Sequence, residues 1–173
     1  MSREVFRGGA MIDRRAALKI VAGGIMTMVW PSASRAVKLS AAVEAALRTS
    51  DLICVATRRD NGERSAVRPI WFYYDGEKLF FTTSPGSWKA KRIARGSPLY
   101  IWIGSESGPF LLGKAEPVTD AALVDRMGEA YAKKYWIAWL GFFKPRSDRV
   151  TAGKTKAYLV TLSEGEPPAA VGE

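Results

Sequence analysis

The spacing of turn signals constrains this chain more than any other feature. Asp60-Asn61-Gly62-Glu63, Asp75-Gly76 and the stretch from Gly104 to Gly108 punctuate short runs rich in β-branched and aromatic residues. Asn-Gly and Asp-Gly suit tight turns with positive φ, which join adjacent antiparallel strands. Residues 52–59 and 64–74 therefore read as one hairpin. A second turn at Asp75-Gly76 leads into a strand over residues 78–83, and residues 99–103 pair with 109–118. Residues 154–162 read as a last strand. Such a series of short strands describes a mainly β chain, a small antiparallel barrel with flanking helices, better than a parallel doubly wound sheet.

Three helices are expected between the strands. Ser40 can cap one that runs to Arg48, with Val43 and Leu47 on a shared face. Residues 88–95 form a basic helix stopped by Gly96 and Pro98. Thr119 can cap a third over residues 120–139. The aromatic run over residues 131–143, which includes Trp136 and Trp139, reads as a subunit interface. From Ser163 the sequence is acidic and Pro-rich and reads as a disordered tail, so the folded domain is expected over residues 37–162.

Composition removes several chemistries. The chain has no His, which excludes Ser-His-Asp and Cys-His nucleophile systems and His-ligated zinc. Its single Cys, Cys54, lies in an apolar run and reads as a buried, inert thiol; no metal site is expected. Neither GxGxxG nor GxxxxGK[ST] occurs, so the Rossmann and P-loop fingerprints are missing.

Residues 1–36 read as an address. Arg14-Arg15 precedes an apolar run over residues 20–30 that is interrupted by Gly23-Gly24, and small residues follow up to Ala36. The run is short of the roughly 20 residues a membrane span needs. The pattern looks like a twin-arginine export signal cleaved after Ala36, which would place the mature protein in the periplasm or otherwise outside the cytoplasm. An uncleaved signal that acts as an anchor and a cytoplasmic protein with a misplaced start are the alternatives. Of the net charge of +9, six cations and two anions lie in this segment, so the remainder keeps an excess of +5. That excess suits a phosphate-bearing ligand. Nucleic acid is not the expected partner, since the basic run at Lys89, Lys91, Arg92 and Arg95 has only Trp88 beside it.

The stretch over residues 64–95 concentrates the groups that can carry chemistry. Arg68, Thr82, Thr83, Ser87 and Lys89 supply cations and hydroxyls for an anion, and Lys89 falls in the first turn of its helix. Pro69 cannot donate to a ladder, so its strand should lie at an edge or bulge, leaving backbone groups beside Ile70 and Trp71 to meet a flat ring.

On these residues the chain resembles the flavin-binding split barrels related to pyridoxamine 5'-phosphate oxidase. The carriers are the strand Arg68-Pro69-Ile70-Trp71-Phe72, the strand end Phe81-Thr82-Thr83, and Ser87-Trp88-Lys89-Ala90. The resemblance implies a split β-barrel and a homodimer with flavin mononucleotide (FMN) at the interface, partner residues completing the site. It implies that Arg68, Ser87 and Lys89 hold the phosphate, with Thr82 and Thr83 near the phosphate or ribityl chain. Pro69, Ile70 and Trp71 would border the isoalloxazine, and Trp88 belongs to the same cofactor-binding set. The implied activity is a flavin-dependent oxidation or reduction of a small molecule. A noncatalytic flavin carrier, the deazaflavin F420 in place of FMN, and a cofactor-free exported module are the alternatives. Pyridoxamine phosphate oxidases themselves carry an Arg-x-His pattern that a chain without His cannot supply. For the address, Arg14→Lys with Arg15→Lys should strand the precursor inside the cell in a fractionation assay. Unaltered export would remove the twin-arginine reading.

Overall fold

The computed structural model describes residues 38–135 and 144–168. Arg14, Arg15, the cleavage point at Ala36, Trp136 and Trp139 lie outside the described residues. The elements are α1 (Ala41–Thr49), β1 (Ile53–Thr57), β2 (Arg68–Ile70), β3 (Tyr73–Tyr74), β4 (Leu79–Thr83) and α2 (Trp88–Ala94). β5 (Leu99–Ile103), β6 (Phe110–Val118), α3 (Ala121–Lys134), α4 (Ser147–Thr151) and β7 (Lys156–Glu164) follow. The strands form one seven-stranded sheet in the order β2-β1-β5-β6-β7-β4-β3. Each neighbouring pair is antiparallel. This is the split-barrel architecture expected from the sequence.

The curl of that sheet follows from one short link. β2 and β3 are the two edges, yet only Trp71 and Phe72 separate them in sequence. Laid flat, seven strands would hold their edges about 29 Å apart at roughly 4.8 Å per strand. Three residue steps reach only about 11 Å. The sheet must therefore roll up until its edges nearly meet. The expected single strand over residues 64–74 is corrected accordingly. Arg64 makes only an isolated bridge to Arg58, β2 pairs with β1, and β3 pairs with β4. Pro69 sits opposite Cys54 on an edge strand, where its missing N–H is tolerated.

Phenol groups replace the ladder where it breaks. Tyr131 donates its hydroxyl hydrogen to the Trp71 carbonyl at 2.9 Å. The Tyr135 oxygen accepts the Phe72 N–H at 3.1 Å and lies 2.6 Å from the Asp51 carbonyl and 2.9 Å from the Phe72 carbonyl. Tyr131 lies in the last turn of α3 and Tyr135 immediately follows the helix. Burial raises both phenol pKa values, Tyr131 well above the usual range and Tyr135 to about 12, so both remain protonated donors at neutral pH.

Inside the barrel, Ile53, Val55, Leu79, Phe81, Leu99, Ile101, Leu111 and Val160 form the main core, closed at one end by Val43 and Leu47 of α1. Alternation sends Cys54 and Ala56 to the outer face, where they pack with Val67 and Trp102. Burial raises the Cys54 thiol pKa, with Glu106 adding to the shift, as suits an inert group.

The turns form as their residues dictate. Gly62 adopts φ 88° and Gly76 φ 110°, and Asp75 Oδ1 accepts the N–H groups of Glu77 and Lys78 at 2.9 and 2.8 Å. Other boundaries differ from expectation. Asp120, not Thr119, caps α3 by accepting the Leu123 N–H at 3.1 Å, and α3 ends at Lys134. α4 was not foreseen; Asp125 on α3 accepts the Ser147 N–H at 3.2 Å and its hydroxyl at 3.0 Å. β7 runs past residue 162, with Ser163 and Glu164 opposite Leu112 and Leu111, so any tail begins later. Glu164 also accepts the Ser40 N–H at 2.7 Å, while the Ser40 side chain makes no cap bond.

Tyr135→Phe should destabilise the fold by about 1–3 kcal/mol, because it leaves buried backbone groups at the bridge unpaired. Thermal or urea unfolding checks this, and a loss below about 0.5 kcal/mol would show that the phenol does not hold the bridge.

Candidate functional site

A cleft of about 400 Å³ opens between β1, β2, β4 and α2. Val55, Ala56 and Thr57 of β1 line it together with Thr83, at the end of β4. Arg68 enters from β2, opposite Val55 in the ladder. Ser87, Trp88, Lys89 and Arg92 come from the start of α2.

Four cations line this cleft, Arg59, Arg68, Lys89 and Arg92, with four hydroxyls, Thr57, Ser65, Thr83 and Ser87, and no carboxylate. The hydroxyls are held in place. Ser87 Oγ accepts the Ala90 N–H at 3.1 Å, capping α2, and lies 3.2 Å from Thr83 Oγ1. Ser65 Oγ accepts the Thr57 N–H at 3.0 Å across the first hairpin. Arg92 Nη1 donates to Thr57 Oγ1 at 3.4 Å. Arg59 alone of the four cations has a carboxylate partner in a salt bridge among the described residues, Glu63 at 3.5 Å, and that pair is exposed.

Lys89 is the unusual member. It is half-buried, its Nζ lies 5.8 Å from the centre of the Phe81 ring, and burial pulls its pKa down to about 8. A half-buried ammonium without a carboxylate is unfavourable unless an anion arrives from outside. Several charge-assisted donors that face one cleft can together desolvate a dianion such as a phosphate.

The residues singled out from the sequence fall into two groups. Arg68, Thr83, Ser87, Trp88 and Lys89 share the basic cleft. Ile70, Trp71 and Thr82 line a second cavity of about 290 Å³ with Tyr131, and no charged side chain lines it. Thr82 and Thr83 are consecutive on β4, so their side chains face opposite sides of the strand. Pro69 lines neither cavity. In the second cavity Trp71 stacks on Tyr135 at 4.4 Å with the rings 7° from parallel. Thr57, Arg59 and Ser65 also line the cleft without having been singled out from the sequence, and Arg92 was read only as part of the basic run. Two of them had readable signals: the Asn-Gly hairpin register puts Ser65 beside Thr57, and Arg92 is one helical turn from Lys89. Lys91 and Arg95 turn elsewhere, Lys91 onto the Trp88 ring and Arg95 to Asp60 at 2.8 Å.

A second lysine, Lys134, also has its pKa drawn down to about 8 by burial, against an opposing pull from Asp51. Its Nζ stands 3.6 Å from the Phe72 ring centre and 3.4 Å from the Phe72 carbonyl, so it serves the bridge and not the cleft. Among the described residues no group of three or more His, Cys, Asp or Glu could hold a metal ion, and no helix is long and apolar enough to cross a membrane.

Residues 39–166 match the family model described as pyridoxamine 5'-phosphate oxidase. Solved structures with a similar fold include a Listeria innocua protein provisionally assigned as a pyridoxamine 5'-phosphate oxidase. It superposes with a TM-score of 0.52 at 17% identity, over 71% of this chain and 92% of its own. Another is a provisional 5-nitroimidazole antibiotic resistance protein from Bacteroides thetaiotaomicron, with a TM-score of 0.52 at 15% identity, over 74% of this chain and 82% of its own. No curated protein matches the sequence.

Because the native pKa of Lys89 is depressed to about 8, the unfolded chain binds more protons than the native one between that value and about 10.5. Lys89→Met should therefore raise the melting temperature at pH 7, and the gain should shrink as pH climbs from 8 to 10.5. A loss of stability at pH 7 would mean that Lys89 is not held as an unpaired cation.

Proposed function

The chain belongs to the pyridoxamine 5'-phosphate oxidase family, and on that premise we propose that it binds FMN and acts as a flavin-dependent oxidoreductase on a small molecule. The observation that carries this reading is the basic cleft, whose lining has four cations and no carboxylate around a half-buried Lys89. Its donor set fits a phosphate dianion. Arg68 and Lys89 would neutralise the charge, and the hydroxyls of Ser87, Thr83 and Ser65 would take the remaining oxygen lone pairs. Thr82 is assigned away from the phosphate, on the neutral side with Ile70 and Trp71.

A homodimer belongs to the same proposal. Thr83 of the basic cleft and Thr82 of the neutral, aromatic cavity lie on opposite faces of β4, and a second chain would let one flavin meet both kinds of surface. When bound, the flavin supplies the two-electron chemistry through its ring. The protein's part is to anchor the phosphate and to keep an apolar, hydrogen-bonding surface beside the ring. The absence of His costs nothing in such a division of labour.

Titration of the purified chain with FMN, followed by flavin fluorescence, tests the reading. Lys89→Ala should weaken binding by about 10- to 150-fold, the equivalent of losing one hydrogen bond to a charged group. Affinity should be greatest between about pH 6, where the phosphate becomes a full dianion, and pH 8. It should fall as pH rises through 8, since Lys89 loses the proton that binding favours. Unchanged affinity in the variant, or a flat profile across pH 8, would contradict the phosphate assignment. Bound flavin that no reductant and acceptor pair can cycle would leave a carrier in place of an enzyme.

A further inference from the structure

We infer that the groove between α1 and α3 is a second binding site, for a small polyanion carrying two or more phosphate or carboxylate groups, with Arg48, Arg126 and Lys133 as its contacts. The groove shares no lining residue with the basic cleft, and the inference does not rest on the flavin reading.

The groove measures about 580 Å³ and is lined from the end of α1, from β3 and from α3. Four cations line it, Arg48, Arg126, Lys133 and Lys134, against one carboxylate, Glu129. Among the described residues no salt bridge includes any of these five. Arg126, Glu129 and Lys133 fall at i, i+3 and i+7, so a single stripe of α3 presents them to the groove. The nearest other acids do not balance the cations there. Glu44, one turn before Arg48 on α1, lines a different cavity, and Asp51, which acts on Lys134, is outside the groove's lining.

Two of the cations are held in place by aromatic rings. The Arg48 guanidinium carbon lies 5.7 Å from the centre of the Tyr74 ring, and the Tyr74 hydroxyl donates to the Gly76 carbonyl at 2.8 Å, which fixes that ring. Gly76 leaves room for the guanidinium, since a Cβ there would stand 3.2 Å from Arg48 Nη2. Lys134 is held by the Phe72 ring and carbonyl, as described above. A ring orients a cation without neutralising it, so the charge stays available to a ligand. Helix dipoles account for part of the cluster, because Arg48, Lys133 and Lys134 lie in the last turns of their helices. They do not account for Arg126 in the first half of α3, nor for the convergence of cations from two helices on one cavity. Like charges gathered in this way repel, and a bound anion relieves the repulsion. Four cations less one carboxylate leave +3 on the lining, which calls for a polyanion and exceeds what a single carboxylate can balance.

The test is calorimetric titration of the full chain at low ionic strength with inorganic pyrophosphate and, separately, with citrate. The basic cleft is first silenced by Arg68→Ala with Lys89→Met, the second of which should stabilise the fold. That chain should still bind one of the two anions at a single site. Adding Arg126→Ala with Lys133→Ala should weaken the binding about ten-fold, the loss of two exposed ion pairs. Both side chains are exposed, so circular dichroism and melting temperature should hold. A preference for pyrophosphate would assign a phosphate ligand and a preference for citrate a carboxylate one, and either supports the site. No binding of either anion by the silenced chain, or binding that Arg126→Ala with Lys133→Ala leaves unchanged, would overturn the inference. The flavin reading would still stand, because it turns on Lys89 and the other cleft.

Discussion

The two-residue bridge from β2 to β3 is the constraint on which the rest of the molecule depends. Trp71 and Phe72 join the opposite edges of a seven-stranded sheet. Their peptide groups cannot pair with a strand on each side, and the hydroxyls of Tyr131 in α3 and Tyr135 just after it take the place of the missing partners. Covering a short break with side chains satisfies backbone groups that would otherwise be buried and unpaired. It also makes β2 a true edge. Pro69 is permitted there, and Arg68 is carried to the open end of the barrel, next to the start of α2.

That open end is where stability is given up. Elsewhere the barrel follows ordinary rules, with apolar side chains inside and charged groups in solvent. In the cleft, cations converge without carboxylates, and one of them is desolvated enough to lose much of its hold on a proton. Nothing in folding requires this arrangement. Groups that oppose folding and converge on one cavity are the expected mark of a ligand site. The contrast with Lys134 is informative, because its burial is equally unfavourable for charge but is offset by the Phe72 ring and carbonyl at the bridge.

Much of the fold was legible because turn residues speak locally. Asn61-Gly62 and Asp75-Gly76 announced their hairpins, and Gly96 and Pro98 the end of α2. The break at Trp71-Phe72 was not legible. The run from Arg64 to Tyr74 has nothing but strand-forming residues at that point, and the groups that interrupt it lie some sixty residues away, in α3 and just after it. α4 escaped notice for a similar reason, since its cap is Asp125 on another helix. At the site, the cationic motif around Ser87 and Lys89 could be read directly, whereas its separation from Thr82 required knowing the face of β4. Alternation alone carried that information. Arg92 was read only as part of the basic run, and its helical spacing from Lys89 places it on the same side.

The central claim is that the basic cleft is a phosphate site, and comparing riboflavin with FMN isolates the phosphate from the ring. Calorimetric titration of the purified chain at pH 7 measures both. The account predicts that FMN binds at least a hundred-fold more tightly than riboflavin, about 2.7 kcal/mol, because only FMN carries the charge that Arg68 and Lys89 lack in the free chain. Equal affinities would contradict it, since the ring would then bind without the cleft.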